Sequence, residues 1–538
     1  MQVDIHSIEI VILLLLFFVV AFGMLAKKLR TPYPIVLVIG GLLLSFVPGI
    51  PRITLNPDFV FLVVLPPLLF SAAWLTSWRE FSYNLVSILF LAFGLVTFTV
   101  VGVSFAVHWF LPGLDWRMGL VLGAIVAPTD AIAATSIAAR IGLPKRIVDI
   151  LEGESLLNDA SALLALEFGI ALLVGGQRPT VVLGVLRLLY LIIAGVLAGL
   201  VVGEFVHQIE HRIDDAPIEI ALTILTPYVA YLAAESMQAS GVLAVVVCGL
   251  YLARKSSHFF SPNVRLQAGA VWESMTFVLN GLVFVMIGLQ LPYVLQTIGD
   301  NRLRTLMLYA AVFCVFLIVL RLFWVFPGAY FSYLIRRRIL HQNERTPSPR
   351  LTFVIGWTGM RGVISLAAAI ALPQVLANGE PFGQRNVIIF LTFAVILVTL
   401  VLQGLTLPYV IRGLGLAGAS KVNQEEQEAR RLMAEAALAH LKEARNNAGP
   451  AERDVFDDLL RHYRRRLAAL DYSGDSAQEA AHPDGHTEFV ALSRELLEVE
   501  RRTAVGLRNQ RRIGDELLRE LEYELDLGEL KLEGGGRR

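Results

Sequence analysis

Charge is scarce in this chain, and its distribution is uneven. Only 17% of the 538 residues are Asp, Glu, Lys or Arg, against roughly 25% in an ordinary soluble domain. About half of those charges sit at one end. Residues 417–538 hold 20 Lys/Arg and 25 Asp/Glu, whereas residues 1–416 hold 26 and 21. The zero net charge therefore joins a +5 portion to a −5 portion. Cysteine is scarcer still. Cys248 and Cys314 both lie in apolar stretches, which excludes a disulfide framework and a cysteine metal site. Histidines are scattered, with His108 and His207 at segment ends, so the nucleophile or metal set of an embedded hydrolase is missing. The chain is not read as an enzyme, and neither a cofactor nor a nucleic-acid partner is expected. The first apolar run, from Ile8, lacks a basic flank and an A-x-A-like site. It reads as a retained helix rather than a cleaved leader.

What is abundant is apolar sequence, 55% of the chain, with a mean hydropathy of +0.62. A spanning helix needs about 20 mostly apolar residues. Thirteen segments fit, near 8–26, 33–49, 58–74, 82–111, 117–138, 147–174, 181–205, 217–235, 240–253, 267–290, 304–333, 351–377 and 387–411. The fold class expected is an all-α membrane protein with thirteen transmembrane helices in residues 1–416, followed by a cytoplasmic helical tail, 417–538. Loops after odd-numbered segments carry 16 basic residues and loops after even ones carry 6. By the positive-inside rule the N-terminus is outside and the C-terminus cytoplasmic. In the tail, Val422–Asn447, Ala451–Leu470 and Glu488–Leu530 read as soluble helices.

Two segments are interrupted by their own residues. The fifth holds Ala127-Pro128-Thr129-Asp130, and the twelfth holds Gly359-Met360-Arg361-Gly362 after Gly356. Proline removes a helical amide hydrogen bond and clashes with the preceding turn. Non-helical backbone at such depth is tolerated only inside protein or beside a wet cavity. Interruptions at matching places in two halves point to a transporter's midplane site. Here they lie seven segments apart, which predicts two inverted six-helix repeats with crossed broken helices and segment seven as linker.

The sixth segment carries the chemistry. A charge at the bilayer centre costs ~2.5–3.5 kcal/mol, yet Glu152, Glu154 and Asp159 follow one another here, with Asp130 on the segment before. Residues three and four apart share a helix face. Glu152, Ser155 and Asp159 form one stripe, suited to a small hard cation. Glu154, Asn158 and Ser161 form the next, suited to a structural partner such as Arg361. Asp130 has a competing role as cap of the half-helix that starts there. Glu167, Arg187, Glu273 and Arg321 are deep but have no role from sequence.

The Pro128-Thr129-Asp130 break, the run from Glu152 to Asn158-Asp159, and Gly359-Met360-Arg361-Gly362 together resemble the NhaP-type bacterial and animal sodium/proton exchangers of the cation/proton antiporter superfamily. The likeness covers about residues 1–415. It implies an integral plasma-membrane antiporter that exchanges a monovalent cation for H⁺ and works as a homodimer among lipid. It also implies a moving core (about 82–174 and 304–411) beside a dimerisation part (about 8–74 and 181–290). By the same resemblance, Asp159 binds both cation and proton. Ser155, the Thr129 carbonyl or hydroxyl, and Asp130 complete the Na⁺ or K⁺ site. Glu154 pairs with Arg361 beside Asn158. One departure stands out: where relatives often have Leu-Pro-Pro-Leu-Leu-Phe-Glu, this chain ends the pattern in Ser71. A weak oxygen ligand there replaces a charge. A K⁺/H⁺ antiporter is the alternative, with a proton-coupled symporter or a cation channel behind it. A symporter for organic anions would want free cations at the site, and a channel a ring of ligands.

Overall fold

In a bilayer every backbone amide needs an internal partner, so apolar segments either coil into helices or close into barrels. This chain coils. A computed structural model describes residues 5–47, 56–111, 113–174, 181–213, 215–259, 262–296, 303–342, 346–375, 381–416 and 422–447, with scattered positions between 456 and 528. It divides into two units, residues 1–420 and 421–538. Among the described residues of the first unit all regular structure is helical, apart from one isolated bridge between Val375 and Pro381.

The first unit opens with α1 (Ile5–Leu29), α2 (Tyr33–Leu44), a wide π-helical stretch (Phe59–Val64) and α3 (Leu65–Leu75). Helices α4 (Trp78–Leu89) and α5 (Val96–Phe110) make one span around a second π-helical stretch, Phe90–Leu95. Next come α6 (Trp116–Val126), α7 (Ala131–Ile141), α8 (Lys145–Val174), α9 (Val181–Glu210), α10 (Ala216–Ser236), α11 (Gly241–Phe259) and α12 (Pro262–Leu289). The rest are α13 (Leu291–Gln296), α14 (Leu303–Arg338), α15 (Pro349–Trp357), α16 (Val363–Ile370), α17 (Arg385–Val398), a third π-helical stretch (Thr399–Gln403) and α18 (Gly404–Gly413). Nine spans are long and apolar enough to cross a membrane among the described residues, with shorter apolar helices at Tyr33–Leu44 and Phe59–Leu75. The chain is therefore an integral membrane protein.

Local chemistry sets the ends. Asp115 caps α6 by accepting from the Met118 amide at 2.9 Å. Gly142, with φ +71°, ends α7 in the left-handed conformation that glycine adopts without cost. Close packing then places the elements. A β-carbon on Gly123 would stand 2.8 Å from the Val100 Cα, so only glycine lets α6 lie against α5. Gly288 of α12 likewise abuts the backbone of α2 at Val38. Helix α12 packs on α1, α2, α3 and α10, while α6 packs on α5, α8, α16 and α17.

In the second unit, α19 spans Val422–Asn447, as its amphipathic pattern predicts. The expected tail helices Ala451–Leu470 and Glu488–Leu530 fall largely outside the described residues.

Candidate functional site

Both sequence breaks are real, and they touch. Helix α6 stops at Val126 and α7 restarts at Ala131; α15 stops at Trp357 and α16 restarts at Val363. The Asp130 amide donates to the Met360 carbonyl at 2.8 Å, joining one break to the other. Four half-helix ends meet here, each with unsatisfied backbone groups. Asp130 serves the positive ends. Its Oδ1 accepts from the Ile132 amide of α7 at 2.8 Å. A β-carbon on Gly362, at the start of α16, would lie 2.8 Å from its Oδ2. Arg361 serves the negative ends: its Nε donates to the Val126 carbonyl of α6 at 2.8 Å, and Nη1 donates to the Gly359 carbonyl just past α15. The anion sits at helix N-termini and the cation at C-termini, as the helix dipoles favour.

The Glu154–Arg361 pairing expected from the resemblance is not what forms. Glu154 takes Arg321 of α14 in a bidentate pair, Nη1 to Oε1 at 2.6 Å and Nη2 to Oε2 at 3.0 Å. Both side chains are 2% exposed. The physical reason lies in the break: Arg361 is already committed to helix-end carbonyls, and Arg321 reaches over from the neighbouring helix. Gly359 lies between the two guanidiniums, where a β-carbon would meet Arg321 Nε at 2.8 Å and Arg361 Nη1 at 2.9 Å. The Thr129 hydroxyl donates to Glu154 Oε1 at 3.0 Å and accepts from Asn158 Nδ2 at 2.7 Å. Arg321, Glu154, Thr129 and Asn158 thus clamp α14, α8 and the first break together.

The next stripe of α8 is different. Asp159 is 5% exposed, and among the described residues none donates a hydrogen bond to its carboxylate. The charge acting on it is that of Asp130, of the same sign. Both carboxylates line a cavity of about 240 Å³, together with Ser71, Thr129, Glu152 and Ser155. Four more polar side chains line it that sequence reasoning missed: Thr135 of α7, Thr276 and Asn280 of α12, and Ser365 of α16. The Ser365 hydroxyl is buried and unpartnered. Asn280 and Ser365 are single polar residues in apolar runs, and Thr135 and Thr276 are small hydroxyls near other polar residues, so none carried a distinctive signal. A cavity lined by three like-charged carboxylates, several hydroxyls and an amide suits a monovalent cation or a proton.

A family model described as sodium/hydrogen exchanger, transmembrane, matches residues 12–413. The chain belongs to the sodium/hydrogen exchanger family. This exchanger is 35% identical over 529 residues to an uncharacterised Na⁺/H⁺ exchanger of Mycobacterium tuberculosis, covering 97% of this chain and 96% of that one. It is 33% identical to a sodium, potassium, lithium and rubidium/H⁺ antiporter of Bacillus pumilus, over 81% of this chain and 65% of the relative. The Na⁺/H⁺ antiporter ApNhaP of Aphanothece halophytica is also 33% identical, over 77% and 75%. Its fold is similar to that of the sodium proton antiporter MjNhaP1 of Methanocaldococcus jannaschii, with a TM-score of 0.59 at 17% identity over 76% of this chain and 99% of that one. Monovalent cation/proton antiport is the activity the family carries. Within the exchanger, the predicted ligands Asp159, Asp130, Ser155, Thr129 and Ser71 share one cavity, whereas Glu154, Asn158 and Arg361 stand behind it as scaffold.

Proposed function

We propose that this exchanger moves one monovalent cation, Na⁺ first among them, against one proton, with both competing for the Asp159 carboxylate. The observation that carries this reading is the unpartnered Asp159, buried against a cavity where two broken helices cross. A cation and a proton each bring +1, so either neutralises that carboxylate. Glu154 is neutralised by Arg321 and stays out of the count. Asp130 is held at the N-terminus of α7, and in this reading it keeps a constant charge through the cycle. Asn158, unlike a second aspartate, carries no proton. The loaded site then crosses the membrane field without charge, whereas an uncompensated charge is worth ~2.3 kcal/mol per 100 mV. The bare ionised site crosses poorly, which prevents leak.

The motion is an elevator. The core, about 82–174 and 304–411, carries the site past a static part, about 8–74 and 181–290, through which two copies dimerise. This reading keeps thirteen spans in two inverted repeats, plasma-membrane insertion, an external N-terminus and a cytoplasmic tail. Thr135, Glu152 and Leu75 also line the cavity; with the basic loops cytoplasmic, this reading takes the cavity as open inward. Glu152 then lies on the entry path.

Two carboxylates at the crossing with a neutral Ser71 opposite leave selectivity to oxygen number and cavity size, so K⁺ is the second reading. The Bacillus relative is named for four alkali cations. Proteoliposome transport with Na⁺, K⁺ and Li⁺ under an imposed pH gradient tests both. Cation-dependent collapse of the gradient is expected, fastest with Na⁺. Currents without proton movement would overturn antiport at this site.

A further inference from the structure

The wall of the cavity opposite the carboxylates is neutral but not inert. It comes from α12 and α3. Thr276 and Asn280 stand one turn apart on α12, and the Thr276 hydroxyl donates to Ser71 Oγ of α3 at 3.1 Å. Asn280 is 2% exposed. Among the described residues its Nδ2 makes no hydrogen bond of normal geometry. The Tyr33 hydroxyl of α2 lies beside it without closing a bond of normal geometry. A buried amide donor left unmade is costly, and native proteins rarely keep one without a use. Amide nitrogen is no ligand for a cation, so this donor does not serve the loaded site.

The acceptors it can meet are those lining the same cavity. Asp130 Oδ1 is taken by the α7 amide, and its Oδ2 stands against Gly362 at the start of α16. Ser71 Oγ is taken by Thr276. Among the described residues, Asp159 keeps both carboxylate oxygens uncommitted. A hydrogen bond from an amide to an ionised carboxylate is roughly twice as strong as one to a neutral acceptor. Such a bond forms with the bare site and weakens when a cation or proton occupies it.

We propose that Asn280 is a coupling residue of the exchange: its amide donates to the empty, ionised Asp159 carboxylate, and loading the site breaks that bond. The inference rests on Asp159 being the shared binding group. Asn280 belongs to the wall and Asp159 to the crossing, so the bond holds the empty site at the wall. Loading releases it. The bond competes with the cation for the same oxygens, and it opposes movement of an unloaded site.

The test uses the full chain in proteoliposomes, comparing wild type, Asn280→Ala and Asn280→Gln. Wild-type exchange and its loss in Asp159→Asn first establish the underlying reading on their own. Asn280→Ala then lowers the apparent KM for Na⁺ by about tenfold, the weight of one charge-assisted hydrogen bond. It also dissipates an imposed proton gradient faster when no exchangeable cation is present. Asn280→Gln, which keeps the donor, moves both values back toward wild type. As a binding readout independent of turnover, Na⁺-dependent stabilisation of the melting temperature begins at lower Na⁺ in Asn280→Ala, and this shift disappears in an Asp159→Asn background. An unchanged KM and leak in folded Asn280→Ala, or a shift in the Na⁺ dependence that persists without Asp159, would overturn the proposal. So would a Gln variant that behaves like Ala.

Discussion

Two adjacent faces of α8 hold the same chemical group in opposite circumstances. On one face Glu154 is saturated by Arg321 and Thr129, with Asn158 bracing the threonine. On the other, Asp159 is also buried and faces a cavity, with no donor to it among the described residues. Burial alone does not separate them. Partnering does: a buried charge that is fully paired is scaffold, whereas one left without a donor beside room for an ion is poised to exchange partners. The crossing obeys the same rule. Arg361 donates to helix-end carbonyls and Asp130 Oδ1 caps α7, and the proposed exchange assigns the changing charge to Asp159.

The largest effect separates the two faces by function. Asp159→Asn keeps the shape and removes the charge. The protein is expected to insert and remain folded while cation-dependent proton exchange falls to background in vesicles. Normal transport by that variant would erase the distinction between the faces.

The other face is broken by stability. Leaving one member of a buried pair alone typically costs ~3–5 kcal/mol. Glu154→Gln and Arg321→Ala should each lower the melting temperature in detergent, and the double variant should cost less than the sum. Arg361→Ala should destabilise too, through the Val126 and Gly359 carbonyls, but with less coupling to Glu154→Gln. Stronger coupling to Arg361 than to Arg321 would reverse the assignment.

That assignment marks where the sequence stops being legible. The apolar runs place the nine spans among the described residues and the shorter apolar helices Tyr33–Leu44 and Phe59–Leu75, because in lipid length and hydropathy decide. Pro128 and the glycines place both breaks, because backbone chemistry is local. The helical repeat sorts Glu154 from Asp159 onto neighbouring stripes. Which arginine meets Glu154 is a tertiary matter: Arg321 and Arg361 are 40 positions apart, and only the conspicuous glycines drew attention to the second. Thr276, Asn280 and Ser365 were unreadable for the same reason, since a small uncharged polar residue in a helix does not say what it faces. The π-helical stretches at Phe59–Val64, Phe90–Leu95 and Thr399–Gln403 leave the apolar pattern unbroken and so leave no trace in it.

Smaller effects sharpen the role of Asp130. Asp130→Asn retains an oxygen for the Ile132 amide, so stability should change little while Na⁺ affinity weakens. Asp130→Ala should also lose the cap, at ~0.5–2 kcal/mol. Equal melting temperatures for the two variants would show that the cap contributes nothing. The smallest effect is expected at the tail. A chain ending near Ala419 lacks none of the cavity residues and should keep exchange in vesicles, with at most a shifted pH dependence. Complete loss in a folded truncation would place part of the machinery beyond the first unit.

The central claim is competition of two ions for one carboxylate. Its most direct test is the apparent Na⁺ affinity of reconstituted protein as a function of pH, with membrane potential set by potassium and valinomycin beside a potassium-only control. One-site competition predicts that affinity weakens as pH falls, approaching about tenfold per pH unit on the acid side. It also predicts that the saturated rate ignores the imposed potential. An Na⁺ affinity indifferent to pH, or a rate that follows the potential, would contradict it.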